Sequence, residues 1–189
     1  MGNQFLIASD FLISTLTGLV ILVVMLRLML QWVRTDFHNP VAQFILKVTN
    51  PMVVPLRRVI PSIGRIDMAT VVALFVLQII AVILIQMLYG RELSPLGLVV
   101  MTCGELIGLV FNVYLFAILI QVILSWVSPG NPSPISYLLY DLTSPVMMPA
   151  RRILKPIHGF DLSPMLAMIV LVLLNILVAE PILQVGQRL

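Results

Sequence analysis

The hydrophobic positions of this chain fall into four long runs, separated alternately by long and short connections. Residues 11–33 form the first run, with Arg27 as its one charge. At about 1.5 Å per residue, 23 helical residues cross an apolar layer of about 30 Å. Asp10 can cap its start, and Trp32 stands at its end, where an interfacial aromatic belongs. Residues 68–89 form the second run, without a formal charge. Residues 96–127 form a third that exceeds one crossing, and residues 163–179 the fourth, with Glu180-Pro181 predicted to mark its far end. The long connections have a different pattern. After Asn39-Pro40, which reads as an N-cap followed by Pro at N1, Val41, Phe44, Ile45 and Val48 make one apolar helical face, with Gln43 and Lys47 off it. Asn50-Pro51 repeats the cap signal and predicts a second short helix, ended by Pro61 and Gly64. Gly90 to Pro95 reads as a short turn between antiparallel neighbours.

The second half repeats the first at a constant offset of 94 residues. Trp32 falls on Trp126, Pro40 on Pro134, Thr49 on Thr143, Pro51 on Pro145 and Pro55 on Pro149. Arg57 and Arg58 fall on Arg151 and Arg152, Ile63 on Ile157, and Asp67 on Asp161. Chance does not keep Pro, Arg, Asp and Trp together at one offset, so the chain is an internal duplication, 1–94 and 95–189. Ser133-Pro134 and Ser144-Pro145 stand for Asn39-Pro40 and Asn50-Pro51, and keep the cap-then-Pro chemistry. The repeat also phases the third run: Phe11 corresponds to Glu105, so its crossing is predicted over 105–127, with 96–104 as a helical or interfacial extension. Each repeat holds two spans, an even number, so both copies face the same way, as parallel repeats.

Composition agrees. The chain is 60% hydrophobic and 10% charged, against about 25% charged in soluble domains. The expected class is an all-α, four-span membrane protein. The N-terminus lacks a basic segment before its apolar run and shows no small-residue cleavage site, so a retained first helix is expected. Leu6 stands where a myristoylation signal needs Ser or Thr. Eight of the eleven Lys and Arg lie in the long connections: Arg34, Lys47, Arg57, Arg58, Arg65, Arg151, Arg152 and Lys155. The positive-inside rule therefore puts both connections in the cytoplasm and both termini on the far side.

The candidate chemistry is sparse. Cys103 is the single cysteine, which excludes an intrachain disulfide or Cys-pair motif. His38 and His158 are non-equivalent and lack a second ligand at metal spacing. There is no nucleophile motif, no paired carboxylate in a span and no phosphate-cradling Gly loop, so no enzyme activity and no cofactor is expected. The basic residues are too few for nucleic acid.

The Pro-x-x-x-Pro-x-Arg-Arg stretches have two readings. In one, Arg57, Arg58, Arg151 and Arg152 bind anionic lipid headgroups, each worth about 1 kcal/mol. In the other, one arginine of each pair closes the connection onto Asp67 or Asp161. Ten of the thirteen prolines lie in these connections, which are expected to be short, broken and stiff. Arg27 is read as snorkelling about 9 Å to the end of its helix at Val33, or else as an ion or substrate contact; its counterpart is Gln121. Gly104 and Gly108 form a Gly-x-x-x-Gly for close helix packing. Asn112, Gln121, Gln78, Gln86 and Asn175 are expected to bond between helices.

Two copies of a span ending in Trp, then Pro-x-x-x-Pro-x-Arg-Arg, then Asp at the next span resemble the YggT/YlmG family of small bacterial and plastid membrane proteins, in its two-repeat Gram-negative form. The resemblance covers residues 13–87 and 107–181 and rests on Pro51, Pro55, Arg57, Arg58, Asp67, Pro145, Pro149, Arg151, Arg152 and Asp161. The small residues that the family often has before the Asp are replaced here by Gly64-Arg65-Ile66 and His158-Gly159-Phe160. The resemblance implies an inner-membrane location. It also implies an association with osmotic-stress tolerance and potassium uptake in some members, and with division-site organisation or plastid cofactor assembly in others.

Two functions are carried forward. The first is a non-enzymatic scaffold or assembly factor whose cytoplasmic faces dock anionic lipids and a membrane or cytoplasmic protein partner; a homo-oligomer is compatible with it. The second is a conduit or regulatory subunit for ion uptake, potassium being the ion the resemblance implies. A conduit needs converging polar groups, and Arg27, Glu105, Asn112 and Gln121 are the starting set.

Overall fold

A computed structural model of the chain describes residues 2–64, 66–92, 94–127, 133–154 and 161–189. They form six helices: α1 Gly2–Val33, α2 Pro40–Arg57, α3 Met68–Leu88, α4 Pro95–Val127, α5 Pro134–Ile153 and α6 Ser163–Arg188. Four of these, α1, α3, α4 and α6, are long and apolar enough to cross a membrane. The other two are amphipathic and bridge each pair.

The architecture is two copies of one three-helix unit. Helix α1 packs along α3 with α2 against both, and α4 packs along α6 with α5 against both. The units meet where α3 lies beside α4 and where α5 touches α1 and α2. Val24, Leu30, Leu74, Ile118 and Leu142 are fully buried between them. Small residues on the contacting faces are buried as well: Ala69, Ala73, Ala81, Ala117, Ala150 and Ala167. Small residues let membrane helices approach closely where the apolar effect gives no drive. Phe5, Phe11, Leu16, Phe116, Trp32 and Trp126 project outward, as lipid-facing and interfacial side chains do.

Two predicted breaks are absent. The connections do not contain pairs of short helices. Helix α2 runs through Pro51 and Pro55, and α5 through Pro145 and Pro149. The reason lies in the buried stripe. Ala42, Ile45, Thr49 and Val53, spaced three and four apart, face the core on both sides of Pro51, so one packed face holds the helix together across it. Each proline removes one N–H. The freed carbonyls belong to Lys47 and Pro51, both exposed. Helix α2 ends at Arg57, and Gly64 (φ +60°) instead forms the tight turn that pairs Ile63 with Ile66.

The fourth span continues past Glu180-Pro181 to Arg188. Residues Asn175–Ala179 form a π turn, in which the Glu180 N–H donates to the Asn175 carbonyl. Pro181 cannot donate to a carbonyl one turn back, and its ring crowds that turn; widening the turn just before it removes the clash. Helix α4 runs from Pro95 to Val127, so the 96–104 extension is the helical one, continuous with the crossing.

Candidate functional site

The two Arg-Asp elements close as the spacing of ten residues suggests. The Arg57 guanidinium donates to Asp67 Oδ2, and Thr70 Oγ1 donates to the same oxygen at 2.7 Å. The Asp67 side chain is only 7% exposed, and its Oδ1 has no partner among the described residues. In the second repeat Arg151 Nε donates to Asp161 Oδ2 at 3.2 Å. Asp161 also accepts from the Ser163 N–H, the first of α6, at 2.9 Å, and its side chain is 32% exposed. For both aspartates burial opposes ionisation. It is outweighed at Asp67 by Arg57, Thr70 and the more distant Arg27 charge, and at Asp161 by Ser163 and Arg151. Both carboxyls are therefore held below their ordinary value.

The second arginine of each pair behaves differently. Arg58 and Arg152 are exposed, and their side chains make no hydrogen bond or ion pair among the described residues. Each repeat thus commits its first arginine to the fold and leaves its second at the surface.

Arg27 does not snorkel. It is 1% exposed, and its Nη1 donates to Thr49 Oγ1 at 2.8 Å and to Asn50 Oδ1 at 2.9 Å. Helical side chains lean toward the N-terminus. A residue six positions before the end of α1 therefore reaches inward, away from Val33, and meets the middle of α2. Gln121 repeats this contact across the same 22-residue separation, on Thr143 at 2.7 Å. Thr49 donates its one proton to the Ile45 carbonyl at 2.6 Å, and Thr143 can do the same to the Leu139 carbonyl at 2.8 Å. Turning the Gln121 amide end for end makes the two nodes identical in donor sense. Sequence alignment of the repeats contains this signal, since Thr49 and Thr143 are equivalent and polar on otherwise apolar faces.

The remaining polar candidates scatter. Asn112 lines an apolar groove between the repeats, and Glu105 faces outward from α4. Arg27, Glu105, Asn112 and Gln121 therefore do not converge on one path. Gln86 reaches the Met101 sulfur at 3.9 Å, and Asn175 Oδ1 lies near Gly108. Gly104 and Gly108 do pack closely: a Cβ at Gly104 would lie 2.8 Å from Leu183 Cγ. His38 is exposed and bonds Asp36 through Nδ1 at 2.8 Å. Arg65, Lys155, Ile157 and His158 lie outside the described residues.

The duplicated Arg-Asp clamps sit on two copies of one unit, and the chain matches the CCB3/YggT family over residues 6–88 and 100–182. This chain belongs to the CCB3/YggT family. The two matched segments are the two structural repeats. Among relatives, it is 42% identical over 178 residues to an uncharacterized protein encoded in the proC 3′ region of Vibrio alginolyticus, covering 90% of this chain and 93% of that one. It is 39% identical over 181 residues to the uncharacterized protein YggT of Escherichia coli K12, covering 95% and 93%. No solved structure matches the chain. Membership of the CCB3/YggT family and the four spans make it a multi-pass membrane protein.

Proposed function

We propose that the protein is a non-enzymatic inner-membrane scaffold whose cytoplasmic connections dock anionic lipid headgroups, and through them a protein partner. The observation that carries this reading is the division of labour within each Arg pair: Arg57 and Arg151 clamp aspartates, while Arg58 and Arg152 face outward. A purely structural motif needs one arginine per repeat; the second one is free for a ligand. The orientation, with both termini periplasmic, follows from the Lys and Arg asymmetry. The scatter of Arg27, Glu105, Asn112 and Gln121 favours this reading over a conduit.

The test uses full-length protein in nanodiscs containing phosphatidylglycerol. Two exposed arginines at about 1 kcal/mol each give an expected loss of retained phosphatidylglycerol of about thirtyfold in Arg58→Ala/Arg152→Ala. Unchanged retention in the folded variant overturns the docking role. Potassium or rubidium flux into proteoliposomes holding only this protein is expected at the level of empty liposomes. Flux above that level replaces the scaffold with the conduit.

A further inference from the structure

Beside the Arg faces lies a second polar feature, and it is acidic. Near the end of α1 a crevice of about 440 Å³ opens between the repeats. Thr35, Asp36 and Asn39 wall it on one side, Pro134, Tyr137 and Asp141 on the other. Among the described residues no Lys or Arg lines it, and the basic side chain on its wall is His38, which is turned to Asp36. Asn39 is already spent. Its Oδ1 caps α2 on the Val41 N–H at 2.9 Å, and its Nδ2 donates to the Pro134 carbonyl at 2.6 Å, tying the repeats together. Thr35 is 4% exposed, lines the crevice, and its Oγ1 has no hydrogen-bond partner among the described residues. Burial and the charge of Asp36 push the Asp141 carboxyl up; the nearby Thr35 hydroxyl acts the other way without reaching hydrogen-bond geometry. Asp36 Oδ1 already accepts from the His38 N–H at 2.9 Å and pairs with His38 Nδ1 at 2.8 Å, which leaves its Oδ2. The groups left over are acceptors, Asp36 Oδ2, the Asp141 carboxylate and the Thr35 hydroxyl, and no Lys or Arg stands among the described lining residues.

The same helix turns wall an apolar groove of about 560 Å³ with their neighbouring residues: Val41 follows Pro40, Ile135 follows Pro134, and Leu138 follows Tyr137. The groove continues down α1 past Leu26 and Leu22 to Gly18, and Asn112 is its only polar side chain. From Val33 back to Gly18 is 15 residues, about 22 Å, which matches half of a bilayer about 40–45 Å thick with its headgroups. Trp32 stands exposed at the crevice end of this length, at the depth of an interfacial aromatic.

We infer that the crevice and groove together hold one phospholipid with a primary-ammonium headgroup, an ethanolamine phospholipid, with its ammonium on Asp36, Asp141 and Thr35 and an acyl chain along the groove. A primary ammonium has three N–H donors and a positive charge, which complements two carboxylates and a neutral hydroxyl acceptor with no Lys or Arg among the described lining residues. A choline headgroup has the charge but no N–H, so it forms none of these hydrogen bonds. Neither Arg face takes part, so this site stands apart from the docking role proposed above.

The experiment is native mass spectrometry of the full chain released from nanodiscs holding equal amounts of phosphatidylethanolamine and phosphatidylcholine with matched acyl chains. Both lipids are zwitterionic, so the Arg faces do not bias the ratio. Wild type is expected to retain the ethanolamine lipid at least fivefold over the choline lipid. Asp36→Asn/Asp141→Asn is expected to bring that ratio to about one. Asp36→Asn alone, at an exposed position, keeps the test available if the double variant fails to fold, and is expected to lower the ratio at least twofold. Gly18→Leu probes the tail: a Cβ there meets nothing within 4 Å, so the side chain enters open groove, and total retained lipid is expected to fall while the fold survives. Wild-type retention at the input ratio overturns the inference. So does selectivity that the Asp variants leave unchanged.

Discussion

The two repeats share a skeleton and differ in charge. In the first, a buried arginine, a buried aspartate and a half-exposed arginine stand together: Arg27 on Thr49, and Arg57 on Asp67. In the second, Gln121 replaces Arg27, and the Arg151–Asp161 pair is open to solvent on both sides. Thr70, which holds Asp67, corresponds to Pro164, and Asp161 turns instead to the Ser163 backbone. The opposite ends of the repeats differ too. Asp10 accepts from the Tyr89 hydroxyl at 3.0 Å in the first, and the equivalent pair in the second is Gly104 against Leu183. The backbone geometry is thus set by features both copies keep, the Thr node, the Arg-Asp clamp and the cap-Pro helix starts. Charge at the node and polarity at the far end are free to diverge.

The largest effect expected from this comparison is at the aspartates. Asp67→Asn leaves Arg27 and Arg57 without their anion inside the protein and is expected to cost about 3 kcal/mol. Asp161→Asn breaks an exposed pair and is expected to cost less than about 1 kcal/mol. Thermal unfolding of the purified variants in detergent reads both; equal costs would erase the distinction between the repeats. Arg27→Gln placed in the Asp67→Asn background should recover part of the loss, because it removes one stranded charge.

Gly186→Ala comes next. A Cβ there would lie 2.7 Å from the Met101 backbone nitrogen and 2.6 Å from its Cγ, and backbone cannot yield as a side chain tip does. The expected cost is about 2 kcal/mol. The equivalent position in the first repeat is Glu92, exposed in the turn after α3, and Glu92→Ala is expected to change the melting temperature little.

Acid pH gives a smaller effect. Both Asp67 and Asp161 are held below their ordinary value, so their contribution is complete above about pH 4. It is lost as pH falls through the depressed native values. The gap in melting temperature between wild type and Asp67→Asn should therefore narrow as pH is lowered from about 5 to about 3. The smallest effect is Arg27→Gln alone, below about 1 kcal/mol: it installs the residue that the second repeat already uses, and the charge it removes was costly to bury.

Much of this was legible from residue types and spacing. The duplication, the four apolar helices, the caps at Asn39 and Ser133 and the Arg-to-Asp pairings all follow from local rules, and each is present. The direction of Arg27 was readable in principle, because the lean of helical side chains is general; distance to the helix end was the wrong measure. The continuous helices across Pro51, Pro145 and Pro181 were not readable from local propensity. Proline's local penalty is real there, and tertiary burial of one stripe, or a widened turn, overrides it. The acidic crevice was hidden for another reason. Asp36 corresponds to Gly130 and Asp141 to Lys47, so alignment of the repeats passes over both; only folding brings these two acids of otherwise basic connections to one place.

The π turn in α6 has a mechanical meaning. It adds one residue to a turn, and one residue of helix is about 100° of rotation. Everything after Ala179 is therefore indexed differently from everything before it. The segment ahead of the turn packs on both α5 and α4, and the segment behind it, with Leu183 and Gly186, packs on α4. The fourth span works as two gears on one shaft with an offset key between them. A single deletion within 175–179 would restore a regular α-helix and at the same time turn Gly186 away from Met101, disengaging one end of the molecule while leaving the other end meshed.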